Sequence, residues 1–415
     1  MKIQTFLLPV NQFVLTILLA PTFWGVLGTG GITAGQLIYT LLVLAIGCAL
    51  TFFHRRPLIV PKTILLLFAV LLGWYGLSLA QNTCFVPSTI HIGDFSELSR
   101  PIIYLLSFSI AYSLFSAESD LKYVPHFMIG LIIGLSVLDV LKFTPLGVQI
   151  LKLYTHLTPG SFNYLRFSGT FAYCYNYAFA LIWGMLLVLF FDYKVKILVP
   201  LFASIILLTG SRSAMLAMAV ALLLYYFRRN SMSKALGRIA VTLLAVAVAV
   251  YLIRLMEIPI VEQIFANFEK LIAGITGTAE DGSLTTRNSQ LEHTLKNFEH
   301  NPLLGVGPQK GDSRPIEIQM GYYLSSWGIG GVMIYLGLML YFLYVSAKTA
   351  RLAGSGAVRN FSMANNIWII SSFIIGMSTP ITDQVRASQL FYLVQGLQYS
   401  LYLVEKQNNA KKILS

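Results

Sequence analysis

Apolar runs of about 20 residues recur along the whole of this sequence, and that repetition limits the fold more than any other feature. A helix rises about 1.5 Å per residue, so such a run matches the ~30 Å hydrocarbon core of a bilayer. Within that core a helix satisfies its own backbone hydrogen bonds. The runs fall at roughly 8–27, 34–53, 63–81, 101–116, 124–144, 169–191, 196–210, 212–227, 238–256, 322–346, 361–379 and 386–404. Charged residues make up only 11% of the chain, where a soluble domain carries about a quarter. The expectation is an all-α polytopic membrane protein of about twelve transmembrane helices, with residues 1–415 forming a single membrane domain. The first run lacks a small-residue cleavage pattern and a second follows closely, so it reads as a span and not as a signal peptide.

The net charge of +12 is accounted for by short connections and not by a nucleic-acid surface. Arg55, Arg56 and Lys62 flank one connection, and Lys194 and Lys196 another. Arg228, Arg229, Lys234 and Arg238 crowd a third; Lys348, Arg351 and Arg359 fill a fourth; Lys406, Lys411 and Lys412 lie on the tail. With about twelve alternating helices all of these share one side, which the positive-inside rule makes cytoplasmic, with both termini there. The opposite loops at 28–33 and 82–99 carry no Lys or Arg. Cys48, Cys84 and Cys174 are odd in number and far apart, with neither metal spacing nor a disulfide framework. No HExxH and no GxxxxGK[ST] is present, and the GVGP at 305–308 follows no strand, so it is a tight loop and not a dinucleotide fingerprint.

One connection is far longer than the rest. Residues 257–321, about 65 in all, fall on the extracytoplasmic side, and loops of such length are usually functional. Ile260, Ile264, Phe268 and Ile272 form a helical stripe suited to a membrane surface. Leu291, Leu295 and Phe298 form a second stripe, expected to face inward together with Arg287; Thr285 or Thr286 can cap its start, and Pro302 lies just past its end.

Several charges stand beside apolar sequence on that same side. Arg212 follows the turn Thr209-Gly210-Ser211 between two short spans. It can snorkel to the headgroups, or it can open an anion site, since a helix N-terminus, the hydroxyls of Ser211 and Ser213 and a guanidinium fork together suit phosphate. Arg166 and Arg287 are the other two outward arginines, and all three could serve one polyanion or each pair locally, Arg287 with Glu292. Glu317 precedes the tenth run; it is an exposed loop acid, a partner for Arg314, or a general base whose partial burial raises its pKa. Asp139 with Lys142, and Asp383 with Arg386, read as local ion pairs. His293 and His300 lack a third ligand, and no metal or cofactor is expected.

The segments RFSGTF at 166–171, LLTGSRSAMLA at 207–217, and TTRNSQLEHTLKNFEHNPLLGVGP continuing to GYYLSSWGIGGVMIYLG resemble, in this order, the bacterial O-antigen polymerase and O-antigen ligase superfamily. These are multi-span glycosyltransferases of the type-C (GT-C) fold class. The resemblance covers about residues 160–345, the signature region. In the family an arginine opens the loop helix, a Pro-Leu-Leu-Gly-Val-Gly turn ends it, and a Gly-x-x-Gly motif starts the next span. Arg287, residues 302–307 and Gly328 to Gly331 match these.

The resemblance implies a donor glycan on undecaprenyl diphosphate, attacked with inversion on the periplasmic face of the bacterial inner membrane. Arg212 and Arg287 fall at the positions that hold the diphosphate, with Arg166 a third, and fixed guanidinium groups replace a metal. Tyr322 and Tyr323, beside the acid, are expected substrate contacts. A chain-length regulator and a flippase are the further partners implied, along with the lipid bilayer. Ligases of this family carry a histidine eleven residues before the first glycine of the Gly-x-x-Gly motif; here Glu317 stands eleven before Gly328. Members that polymerise often carry an acid there, so the expected activity is polymerisation of lipid-linked repeat units. Ligation of finished glycan to lipid A core is the alternative. A transporter of lipid-linked or amphipathic anions is the second, and it fits less well because no internal repeat is present.

Overall fold

The computed structural model describes residues 59–85, 92–114, 124–141, 166–168, 174–192, 197–231, 282–309, 316–382 and 385–414, with isolated positions between them. Among these, every regular element is helical: α1 (Lys62–Phe85), a 3-10 helix (Ile92–Leu98), α2 (Ser99–Leu114), α3 (Val124–Leu141), α4 (Cys174–Phe190), α5 (Leu198–Leu208), α6 (Arg212–Arg229), α7 (Gly282–His300), α8 (Gln319–Leu352), α9 (Gly356–Gly376) and α10 (Val385–Leu414). All but the 3-10 helix and α7 coincide with apolar runs of the sequence. The runs at 8–27 and 34–53, most of 238–256, and the stripe at 260–272 lie outside the described residues. Among the described residues two helices, Lys62–Cys84 and Gln319–Leu352, are long and apolar enough to cross a membrane. In hydrocarbon, helices gain little by burying apolar surface against one another, so packing and polar contacts must hold the bundle. A reciprocal amide pair supplies such a contact: Asn365 donates to Gln395 at 3.1 Å, and Gln395 donates back at 3.0 Å. Gln398 donates to Ser362 at 3.0 Å on the same α9–α10 seam.

Charge separates the two ends of the bundle. At one end Arg229 pairs with Asp192 at 3.1 Å, and Arg228 bonds to the amide oxygen of Asn366. There the last turns of α8 and α10 also meet, with Glu405 accepting from the Gly354 N–H at 3.0 Å and Asn409 donating to the Leu352 carbonyl at 2.9 Å. Lys348, Arg351 and Arg359 belong to the same end. The other end is formed by the first turns of α6 and α8, the last turn of α9, α7 and the 3-10 helix.

The central device of that second end is a break in α8. Gly328 has φ +62°, so the helix stops and restarts within what would otherwise be one span. A break strands backbone donors and acceptors that apolar surroundings cannot satisfy. The turn after α7 supplies the partners. Val306 and Gly307 donate to the carbonyls of Ser325 and Ser326 at 2.8 and 3.1 Å. Ile329 and Gly330 donate to Pro302 and Leu303 at 2.9 and 3.3 Å. From α1, Trp74 donates to the Trp327 carbonyl at 2.9 Å, Ser78 to Leu304 at 2.7 Å, and Asn82 to Gly305 at 3.0 Å. The turn, the broken helix and α1 are therefore one clasp. The glycine motif read as the start of a span is the restart of α8 after this break, and the helix itself begins nine residues earlier, at Gln319.

Helix α7 corrects the sequence reading in two ways. It starts at Gly282, so Thr285 and Thr286 lie inside it and do not cap it, and Arg287 does not open it. Its buried face is polar: Gln290 and Thr294 are buried, whereas Leu291 and Leu295 are exposed. The stripe expected to face inward faces out. What α7 packs against is the polar, hydrogen-bonding start of α8 and not a hydrocarbon core, so its amides and hydroxyls are the residues that turn in.

Candidate functional site

Arg212 is the first residue of α6 and is half-buried. Ser211 is the N-cap, in extended conformation, and its Oγ accepts the Ala214 N–H at 3.4 Å. Gly210, with φ +64°, makes the reversal that lets α6 start directly after α5. Helix α5 is only 11 residues, a rise of about 16 Å, and the turn at its end is enclosed by the bundle. Thr209 and Ser211 are accordingly buried. Recessed backbone N–H groups, a positive helix end and an arginine together make a site for negative charge.

A chain of contacts leads from Arg212 to the other arginines. The Ser213 hydroxyl bonds to that of Ser378, just past α9, and Ser378 donates onward to the Ile375 carbonyl at 3.1 Å. Four residues on, Thr382 receives the side-chain amide of Gln319 and donates to the Tyr335 hydroxyl at 3.1 Å. Gln319 is the first residue of α8, two after Glu317. The Glu317 N–H donates to Gln290 Oε1 at 3.1 Å, and Gln290 is one helical turn from Arg287 on the inward face of α7. On the far side, the Phe167 N–H donates to the Leu208 carbonyl at 3.3 Å, which sets Arg166 beside the end of α5. Arg166 also donates to Cys174 Sγ at 3.8 Å. The segments carrying Arg166, Arg212, Arg287 and Glu317 are thus gathered at one end of the bundle, with the turn 377–382 between the α6 and α8 starts.

This turn was not singled out by the sequence, because its polar residues, Ser378, Thr379 and Thr382, are small hydroxyls without charge. Thr382→Val is expected to lower stability by roughly 1–3 kcal/mol, since it leaves the buried Gln319 amide without its partner. Thr382→Ser should restore it, and thermal unfolding in detergent distinguishes the two.

Individual expectations fare differently. Glu317 is exposed, where the sequence reading offered partial burial. Tyr322 is half-buried and donates to Glu97 Oε2 at 3.1 Å. Tyr323 is 3% exposed and stacked on Tyr335 with ring centroids 4.5 Å apart. No ion pair joins Arg287 to Glu292 among the described residues, and Arg287 Nε is buried there without a hydrogen-bond partner. Asp139 accepts the Ser168 N–H at 3.3 Å; Lys142, Arg314 and the Asp383 and Arg386 side chains lie outside the described residues.

Two buried carboxylates at this end escaped the sequence reading. Asp94 and Glu97, in the 3-10 helix, are both fully buried. Arg100 pairs with Glu97 at 2.9 Å, so the Glu97 charge is compensated. The spacing of Glu97 and Arg100, i and i+3 across the start of α2, is the signal that could have found the pair. Through Tyr322, it ties the α1–α2 connection to the first turns of α8.

Residues 197–332 match the family model described as O-antigen ligase. The match contains Arg212, Arg287, Glu317 and the Gly328 break, and it supports membership of the O-antigen polymerase and ligase superfamily. It begins after Arg166. No curated protein matches the chain.

Proposed function

We propose that this chain, which carries the O-antigen ligase family match over residues 197–332, is a membrane glycosyltransferase that polymerises oligosaccharide repeat units carried on undecaprenyl diphosphate. The observation that supports the reading is that the Arg212 and Arg287 segments lie at the same end of the bundle, linked through the turn 377–382 and the start of α8. In glycan transfer from a lipid diphosphate, negative charge grows on the diphosphate oxygens as the anomeric C–O bond breaks. Guanidinium groups fixed before the reaction stabilise that charge without reorganising, as a metal ion would elsewhere. Arg212 and Arg287 take this role, and Arg166 assists from the α5 side.

The acceptor hydroxyl must lose its proton as it attacks. Glu317, exposed beside Gln290 and two residues before the α8 start, is the base in this reading, and attack from the face opposite the diphosphate inverts the anomeric centre. Glu317→Gln is expected to lower the transfer rate by roughly 10²–10⁴-fold with little change in donor binding. Single-turnover assays with the lipid-linked donor measure both; a normal rate would remove Glu317 from the chemistry. If the positive-inside rule puts the basic end of the bundle in the cytoplasm, the site in this reading faces the periplasm.

The family match itself favours a second reading, ligation of glycan to lipid A core. Against it stands the acid at position 317, where ligases carry histidine. Supplying one donor with and without lipid A core separates the two. Elongation on the lipid carrier alone supports polymerase, and transfer only when core is present supports ligase.

A further inference from the structure

Around its axis, α7 carries three kinds of surface. Gln290, Thr294 and Asn297 face the start of α8, where Asn297 donates to Ser325 at 2.8 Å and Thr294 lies against Gly321. Glu292, Lys296 and Glu299 are exposed and charged. Between these sectors runs an apolar edge, Leu291 and Leu295, each 48% exposed, with Phe298 half-buried beside them. A helix on a protein surface in water needs only two sectors, one packed and one wet. An apolar edge exposed between them suits a helix lying where protein, water and lipid meet.

The edge does not end with the helix. Leu303, in the turn that follows, is 57% exposed. The hydrogen bonds from Ile329 to Pro302 and from Gly330 to Leu303 fix it against α8. There Ile329 and Met333 are exposed by 43% and 63%, and Leu340 and Tyr344 continue the same exposed strip down the helix. Since α8 is long and apolar enough to cross a membrane, an exposed apolar strip along it suits contact with lipid. The α7 edge prolongs that strip, so lipid is the partner whose chemistry fits both.

We propose that α7 is a membrane-interface helix whose edge, Leu291 and Leu295 continuing into Leu303, is immersed in the acyl boundary of the adjacent leaflet. Arg287, one turn before Leu291, is then held at the level of lipid headgroup phosphates. The inference concerns where the helix lies and does not depend on glycan transfer.

The test uses full-length protein with Cys48→Ala, Cys84→Ala and Cys174→Ser, reconstituted in nanodiscs of phosphatidylethanolamine and phosphatidylglycerol. An environment-sensitive fluorophore is placed on Leu295→Cys, with Met333→Cys as the lipid reference and Glu292→Cys as the water reference. Brominated acyl chains should quench the label at 295 at least half as strongly as at 333, and iodide should quench it several-fold less than at 292. Quenching at 295 by iodide to the extent seen at 292 would overturn the proposal. So would protection from both quenchers, which would mean that protein covers the edge. Leu291→Cys provides the same reading should Leu295→Cys fold poorly.

Discussion

Arg212→Ala is expected to lower glycan transfer by roughly 10²–10³-fold or more while the protein still folds and inserts. The side chain opens α6 and is half-buried, so its loss leaves no large cavity, and alanine is a strong helix former. The Ser211 cap and the Ser213–Ser378 contact are backbone and hydroxyl features that the substitution spares. What disappears is a fixed positive charge at a helix end already biased toward anions. Arg212→Lys should recover only part of the rate, because an ammonium cannot reproduce the bidentate fork. Arg287→Ala should behave similarly, for Gln290, Thr294 and Asn297 anchor α7 against the start of α8. Unchanged thermal unfolding together with lost transfer identifies both as site residues. A matched fall in melting temperature would instead assign them to the fold.

The second large effect is on folding. Gly305→Ala should be among the most destabilising single changes in the chain. Gly305 has φ +72°, and a Cβ there would lie 2.5 Å from the Ser326 carbonyl carbon. Gly328 has φ +62°, and its Cβ would strike the Leu303 carbonyl from the opposite side of the same clasp. In each case the obstacle is backbone, which cannot rotate away, so the turn must leave the break in α8 and strand its donors and acceptors. Gly307→Ala is the internal control. Its φ is +85°, but the nearest atom to a Cβ is Asn82 Nδ2 at 4.0 Å, so only the cost of the backbone conformation remains, about 1–3 kcal/mol. Yield of folded protein and melting temperature should rank Gly307→Ala well above the other two. Equal behaviour of all three would mean that the clasp is not what holds the turn to α8.

Most of the helices were legible because a bilayer enforces one rule on every residue of a span. Runs such as 169–191 and 361–379 need only their length and apolarity to be read, and α4 and α9 lie within a few residues of them. The α8 break was half legible. Gly328 to Gly331 marked a boundary, but the sequence could not tell that Trp74, Ser78 and Asn82 of α1, far away in the chain, supply partners to the clasp. The orientation of α7 was misread because an apolar stripe was assumed to seek protein. Next to a membrane, apolar residues have a second place to go, and the polar face was free to pack. The arginines stood out because charge beside apolar sequence is costly and needs a reason. Ser378 and Thr382 carry no such cost, and Glu97 was hidden by its neighbour Arg100. The resemblance in 166–171, 207–217 and 285–337 pointed to segments that the fold brings to one end of the bundle, which periodicity could not do.

The most direct measurement of the central claim is transfer by the purified protein in detergent, with a lipid-diphosphate-linked repeat unit as the only donor and acceptor. Products are resolved on a gel, for the native chain and for Arg212→Ala. The account predicts a ladder of lengthening glycans on the lipid carrier, formed in the presence of a chelator and absent from the Arg212→Ala lanes. A ladder that persists undiminished in Arg212→Ala would contradict the placement of the diphosphate at the α6 N-terminus. Absence of any transfer by the native chain, with or without lipid A core, would contradict the enzyme itself.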